Sequence, residues 1–199
     1  MDEKDQHLHL DRTRWVSITA IMTALALVGN YSLVFIPNVE LGSLVLFATA
    51  YVFGPGMALW CTLIMSIVYG TINPWGGFFP LIWLTQVIGW TYVVVAGAII
   101  GHRGDAPAAD VFSPIEMGVV GAGVTIVFDM VTTVGYSLTF SVLFVIALIG
   151  LLPFMILHVL SNAILFASVL PGINKSVRET LSPVIVTEQN GQLLLEGEG

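Results

Sequence analysis

Residues 151–170 read LLPFMILHVLSNAILFASVL, an apolar stretch in which His158 is the only side chain that can carry a charge. About 20 apolar residues are enough for a helix to cross the hydrocarbon core of a bilayer. The stretch therefore predicts a transmembrane helix. Five further apolar segments precede it along the chain, at residues 15–36, 41–53, 57–72, 79–100 and 115–136.

The composition of the whole chain agrees with this interpretation. Apolar residues make up 56% of the 199 residues and charged residues only 10%, and the mean hydropathy is +0.92. A soluble domain carries roughly 25% charged residues, so this chain has too little polar surface to face water. No basic patch exists that would bind nucleic acid. The sequence predicts an all-α membrane protein embedded in the lipid bilayer.

The basic residues predict how the helices are oriented. All six fall outside the apolar segments, in three groups: Lys4, Arg12 and Arg14, then Arg103, then Lys175 and Arg178. Basic residues collect on the cytoplasmic side of a membrane, which requires an even number of crossings before Arg103 and again after it. We therefore expect a compact bundle of six transmembrane helices with both termini in the cytoplasm.

The domain boundaries follow from these spans. We expect a cytoplasmic tail at residues 1–14, one six-helix substrate-binding domain at residues 15–170, and a second cytoplasmic tail with a loosely ordered tip at residues 171–199. Residues 138–150 are apolar but too short to cross. They are interpreted as a surface helix, a re-entrant segment or extra length on the sixth helix.

Two ionisable side chains lie inside the apolar segments. Asp129 is in the fifth and His158 in the sixth, and Asn162 follows His158 at the four-residue spacing that places both on one helix face. Ionisable groups in a membrane are costly and mark functional sites by default. They predict the polar wall of a ligand cavity. The alternative is a hydrogen bond between Asp129 and His158 that only holds two helices together.

The predicted outer loops are rich in polar and aromatic residues. One loop contains Asn38 and Glu40, and residues 73–80 read NPWGGFFP. The aromatic rings can stack on a flat ligand while the glycines let the backbone bend over it. The alternative is an aromatic belt at the membrane surface. The candidate substrate-binding residues are Asn38, Glu40, Asn73, Trp75, Phe78, Trp83, Gln86, Asp129, Tyr136, His158 and Asn162.

The first span carries a pair of small residues at helical spacing. Ala20 and Ala24 form an Ala-x-x-x-Ala pattern, which permits close approach of another helix. The alternative is packing within the same bundle. The sequence has no phosphate-binding loop, no His-Glu-x-x-His motif and no Gly-x-Ser-x-Gly motif. We therefore expect no catalytic residue, no metal site and no cofactor.

Taken together, these residues resemble the S components of energy-coupling factor (ECF) transporters, which are small membrane proteins that capture vitamins. The resemblance covers residues 14–170 and extends to the branch associated with cobalamin, although that branch is expected to have an uncharged residue where Glu40 stands. Its motifs, in chain order, are Ala20-x-x-x-Ala24, Pro37-Asn38-Val39-Glu40, Phe53-Gly54-Pro55, the loop 73–80, and Pro153, His158 and Asn162 in the last helix.

The resemblance implies a function and a set of partners. An S component resides in a prokaryotic cytoplasmic membrane as a multi-pass protein and binds its ligand from outside. It then docks on a transmembrane coupling protein that carries two cytoplasmic ATPases, and the bundle topples to release the ligand inward. By this resemblance Ala20 and Ala24 are docking positions, and the loop and intramembrane polar residues line the vitamin cavity.

Two other functions remain open from the residues themselves. A proton-coupled secondary transporter would use Asp129 and His158 as a proton relay. An intramembrane enzyme acting on a lipid or isoprenoid would use the same two residues as acid and base, although the sequence offers no nucleophile or metal motif in support.

Overall fold

The computed structural model describes residues 12–73, 76–102 and 112–196, with side chains described as far as residue 173. These residues form helices and connecting turns without a β-strand. In chain order the helices are α1 (Arg12–Ser32), α2 (Gly42–Phe53), α3 (Pro55–Thr71), α4 (Pro80–His102), α5 (Pro114–Phe140) and α6 (Phe144–Glu196). The predicted all-helical architecture is confirmed.

Four of these helices are long and apolar enough to cross a membrane: α1, α4, α5 and residues Phe144–Ile173 of α6. The helices α2 and α3 are also apolar but have only 12 and 17 residues. Large apolar side chains are exposed along the surface, such as Ile99, Val119 and Ile164. Such a surface suits lipid better than water, and the chain therefore fits a membrane-embedded protein. Six crossings and cytoplasmic termini stay predictions.

The short helix α2 lies at the centre of the bundle. It packs against α1, α3, α4 and α6, and every residue from Gly42 to Ala50 is buried. Because its neighbours cover it on all sides, its sequence is apolar all round and has no polar face. Gly54 ends this helix with a φ of +90°, a backbone conformation that side chains rarely adopt. Pro55 then occupies the first turn of α3, where its missing N–H costs nothing.

The helix α5 begins at a capping box. The backbone N–H of Ser113 donates to Glu116 Oε2 over 2.6 Å, and the backbone N–H of Glu116 donates to Ser113 Oγ over 3.3 Å. These two bonds satisfy N–H groups that a helix start otherwise leaves unpaired. They fix the point at which α5 starts on its path past α4 and α6.

The segment 138–150 is divided between two helices. Its first residues end α5 at Phe140, Ser141 adopts a left-handed conformation with a φ of 54°, and α6 begins at Phe144. Of the three interpretations, extra length on the sixth helix describes most of the segment. At its other end α6 continues through Pro171 to Glu196, so the polar stretch predicted as a tail is helical as far as it is described. The predicted loose tip, residues 197–199, lies outside the described residues.

Candidate functional site

A cavity of about 390 Å³ lies at the end of the bundle formed by the α1–α2 and α3–α4 connections. Five helices and two connections supply its walls. The residues that line it are Asn30, Val34, Ile36, Pro37, Asn38, Val39, Glu40, Tyr69, Asn73, Ile82, Gln86, Trp90, Phe128, Asp129, Thr132, Tyr136 and His158.

Three ionisable side chains form a cluster in the wall of this cavity. His158 Nδ1 lies 2.8 Å from Asp129 Oδ1, which is a hydrogen-bond distance. His158 Nε2 lies 3.7 Å from Glu40 Oε1, too far for a hydrogen bond but close enough for strong electrostatic attraction. All three side chains are nearly inaccessible to solvent, at 5% for His158, 7% for Asp129 and 13% for Glu40. The imidazole therefore lies between two carboxylates contributed by separate elements.

Glu40 is held in place by the first turn of α2. The hydroxyl of Ser43 donates to Glu40 Oε1 over 2.5 Å. Burial raises the pKa of Glu40, but attraction to His158 and the hydrogen bond from Ser43 outweigh it, and the pKa of this carboxyl lies below its usual range. The Trp90 indole N–H makes no well-formed hydrogen bond, yet it is near enough to contribute to the same shift. Glu40 is therefore ionised at neutral pH.

The connection that carries Glu40 is fixed by Asn30 of α1. Asn30 is buried, and its Oδ1 accepts a hydrogen bond from the backbone N–H of Gly42 over 2.7 Å. This bond pairs one of the N–H groups that are free at the start of α2. Asn38 has a φ of 57°, a left-handed conformation that asparagine tolerates better than most residues. Together the two asparagines give residues 33–41 the shape that directs Glu40 inward.

Aromatic rings form a continuous wall beside the ionisable cluster. The ring of Tyr69 lies 6.4 Å from that of Trp90, and Trp90 lies 5.5 Å from Phe128, measured between centroids. Phe128 in turn meets the His158 imidazole edge to face at 5.8 Å. These are ordinary aromatic packing geometries. The cavity is thus bordered by packed aromatic side chains as well as by a buried pair of carboxylates.

Several polar atoms of the site lack a hydrogen-bond partner among the described residues. They include Asp129 Oδ2 and His158 Nε2, both of them on side chains that line the cavity. Buried polar groups in proteins are almost always paired, with protein, water or ligand. Both atoms are themselves buried, so the ionisable cluster has unsatisfied hydrogen-bonding capacity just behind the surface of the cavity.

Seven of the eleven predicted substrate-binding residues line the cavity. They come from the two connections, from α4, from α5 and from α6: Asn38, Glu40, Asn73, Gln86, Asp129, Tyr136 and His158.

Three other predicted substrate-binding residues, Phe78, Trp83 and Asn162, do not line the cavity. Trp83 packs against Phe78 with centroids 5.9 Å apart, and its indole N–H donates to the carbonyl of Ser66 over 3.1 Å, so it joins α4 to α3. Asn162 is fully buried one turn beyond His158 and has no hydrogen-bond partner among the described residues. Trp75 lies outside the described residues.

Ten of the lining residues were not predicted as substrate-binding residues, and five of these ten are polar or aromatic. Asn30 was open to prediction, because an amide in an apolar span is unusual and has to find a polar partner. Tyr69, Trp90 and Phe128 gave no such signal, since aromatic residues in an apolar helix are usually core. The fifth, Thr132, bonds to carbonyls of its own helix, as threonines in apolar helices commonly do.

The Ala20 and Ala24 side chains are exposed on the free face of α1. Thr19 and Thr23, about 100° away around the helix, are buried against the bundle. The alternative that the two alanines pack within the bundle is therefore excluded, and they lie on a surface open to another molecule or to lipid.

Comparison of the chain with models of protein families, with curated proteins and with solved structures yields no significant match. Within the described ranges, no three His, Cys, Asp or Glu side chains are arranged to hold a metal ion. What the site does is therefore argued from its own geometry.

Proposed function

We propose that this chain is the substrate-binding S component of an ECF-type importer, a six-span protein of a prokaryotic cytoplasmic membrane. The observation that carries the proposal is the cavity itself. A bundle with an apolar surface encloses about 390 Å³ lined by amides, carboxylates, an imidazole and aromatic rings. A purely structural membrane protein has no reason to bear the cost of so many buried polar groups.

The distribution of charge supports a cavity that opens to the outside. The connections at the cavity end, residues 33–41, 72–79 and 141–143, contain no Lys or Arg. The basic residues cluster instead at the start of α1, just after α4 and beyond Ile173. Because basic residues favour the cytoplasmic side, this asymmetry favours an external mouth and cytoplasmic termini.

The exposed alanine face of α1 supports docking to a partner. Ala20 and Ala24 lie two and three turns from the start of the helix, in the half that is predicted to be cytoplasmic. A surface of small residues allows a partner helix to approach closely. The chain has no phosphate-binding loop, so energy for release would come from a coupling protein with two ATPases.

The size of the cavity bears on the identity of the vitamin. A volume of about 390 Å³ lies near the lower end of the ~300–1,000 Å³ range typical of small-molecule pockets. A cobalamin, with its corrin ring and nucleotide loop, would protrude far beyond these walls. A compact vitamin therefore suits the cavity better than the cobalamin-like ligand that the resemblance favours.

Reconstituted transport tests the proposal. Liposomes containing this chain alone are expected to bind but not to accumulate ligand, and accumulation is expected when a coupling protein, its ATPases and ATP are added. Ala20→Trp should abolish accumulation and leave binding intact. Ile164→Trp places the same bulk on the exposed surface of α6 and should leave both unchanged. Normal accumulation by Ala20→Trp would contradict docking through this face.

A second candidate is a proton-coupled transporter that works without partners. The contact of 2.8 Å between His158 Nδ1 and Asp129 Oδ1 favours it, because a buried acid–imidazole pair can pass a proton. It predicts uptake by the chain alone that depends on a pH gradient and is lost in Asp129→Asn. Absence of such uptake in liposomes that retain ligand binding would exclude this function.

A further inference from the structure

We infer that the cavity selects a flat, positively charged ligand, namely an aromatic or heteroaromatic compound that carries a cationic centre. The inference rests on the proposal that this cavity is the ligand site, and it names the chemical class of the ligand. It follows from the charge, the unpaired atoms and the ring wall of the cavity taken together.

The described residues that line the cavity carry two carboxylates, one imidazole and neither Lys nor Arg. With Glu40 and Asp129 ionised and His158 protonated, the charges sum to −1. Moving the proton from His158 to Asp129 leaves this sum unchanged. The cavity is therefore negative in both arrangements and becomes more so if the shared proton leaves.

A net negative charge is unfavourable at this buried position. The side chains of Asp129 and His158 are more than nine-tenths buried, and an uncompensated charge away from water carries a large desolvation penalty. The hydrogen bond to His158 uses only Oδ1 of Asp129, while Oδ2 has no partner among the described residues. A cation in the cavity would neutralise the excess charge.

The aromatic wall lies where a cationic ring would meet it. Tyr69 and Tyr136 line the same cavity as the carboxylates and keep part of their ring surface exposed, whereas Trp90 and Phe128 border it but are only 1% and 6% exposed. A cation over the face of an aromatic ring is attracted by the negative potential of that face. A flat cation therefore satisfies both features at once, whereas an anion is repelled and a neutral ring leaves the buried charge in place.

A matched pair of probes tests this inference. The 1-benzyl-3-carbamoylpyridinium cation and neutral 3-benzylbenzamide have the same shape and differ by a ring nitrogen and its charge. Binding to the purified full chain in detergent is measured by quenching of tryptophan fluorescence. We expect the cation to bind at least about tenfold more tightly than the amide.

Isosteric variants tie the preference to the cavity. Glu40→Gln keeps the shape and removes one charge, and it should weaken cation binding by about 30-fold or more while changing amide binding little. Glu116→Gln makes the same substitution in the exposed capping box of α5 and should preserve the preference.

Equal affinity for the two probes, tighter binding of the amide, or binding of neither probe up to millimolar concentration would each overturn the inference. Failure here is distinguishable from failure of the proposed function. A chain that prefers the neutral probe but requires the coupling protein for uptake is an S component for another class of ligand. A chain that prefers the cation but transports it alone supports the cationic ligand and contradicts the S component.

Discussion

His158 Nδ1 on α6 lies 2.8 Å from Asp129 Oδ1 on α5, and this contact lies in the wall of the cavity. It joins the two helices and at the same time fixes the imidazole that lies beside Glu40. A helix-locking bond and a ligand wall were alternative interpretations of the sequence, but the geometry is compatible with both roles in one pair. Because the pair can serve both roles, its contribution to stability and its contribution to ligand binding have to be measured separately on the same variants.

We expect Asp129→Ala to destabilise the bundle by about 3–5 kcal/mol, because it leaves the buried imidazole without its acceptor. Asp129→Asn keeps an oxygen that accepts the hydrogen bond and should cost less. Unfolding in detergent can be followed with a thiol-reactive fluorophore, since the single Cys61 is buried until the bundle opens.

A double-mutant cycle provides the control. If the two residues act as a pair, Asp129→Ala combined with His158→Ala should cost clearly less than the sum of the single changes. Strict additivity of the two losses would mean that their contact contributes nothing to stability.

The hydrogen-bonded contact between Asn30 and Gly42 should not tolerate a side chain at position 42. A Cβ atom at Gly42 would lie 2.5 Å from Asn30 Oδ1, in place of the bond that holds the start of α2. We expect Gly42→Ala to destabilise the protein by about 1–3 kcal/mol and to weaken ligand binding, because residues 33–41 carry Glu40. The same fluorophore assay and a binding titration measure the two effects.

The matched control is Gly123→Ala in α5, where an added Cβ meets no atom within 4 Å. It should change stability by no more than about 0.5–1 kcal/mol, and in the stabilising direction, since alanine favours a helix. Equal effects of the two substitutions would contradict a special role for the contact between Asn30 and Gly42.

The sequence predicts ionisable site residues well and aromatic ones poorly. Asp129 and His158 stand out because a charge in an apolar span is rare, and both line the cavity. No comparable sequence signal distinguishes Trp90, which lines the cavity, from Trp83, which does not. They lie seven residues apart, on nearly the same face of α4, yet only Trp90 reaches the cavity. Sequence spacing predicts on which face of a helix a residue lies. It does not predict whether that residue contacts the cavity or a neighbouring helix.

The ends of the helices show the same limitation. The end of α2 was predictable, because Gly54-Pro55 has an unambiguous local conformation. The course of α6 beyond Pro171 was not predictable from hydropathy, because the chain becomes polar there while the backbone stays helical. Hydropathy reports where lipid ends and says little about where a helix ends.

The two tryptophans of α4 should respond differently to replacement. Trp83→Phe removes the hydrogen bond to the carbonyl of Ser66 and should cost about 1–3 kcal/mol of stability while leaving ligand affinity nearly unchanged. Trp90→Phe removes the larger ring from the cavity wall and should lower the affinity for ligand by about threefold or more. Both variants are titrated with the same ligand, and a larger loss of affinity in Trp83→Phe than in Trp90→Phe would show that Trp83 is the binding residue.

Lowering the pH should weaken the contribution of Glu40 to stability, with a sign that its pKa determines. The pKa of Glu40 is lower in the folded protein than its usual value of about 4.3. Its contribution is therefore complete above that value, and it is lost as the pH falls through the lower pKa of the folded state. Between pH 7 and pH 5 the stability difference between the unmodified chain and Glu40→Gln should stay constant, and below about pH 4 it should shrink. Unfolding followed at each pH by intrinsic fluorescence provides the measurement, and a difference that grows on acidification would mean that the buried carboxyl is protonated at neutral pH.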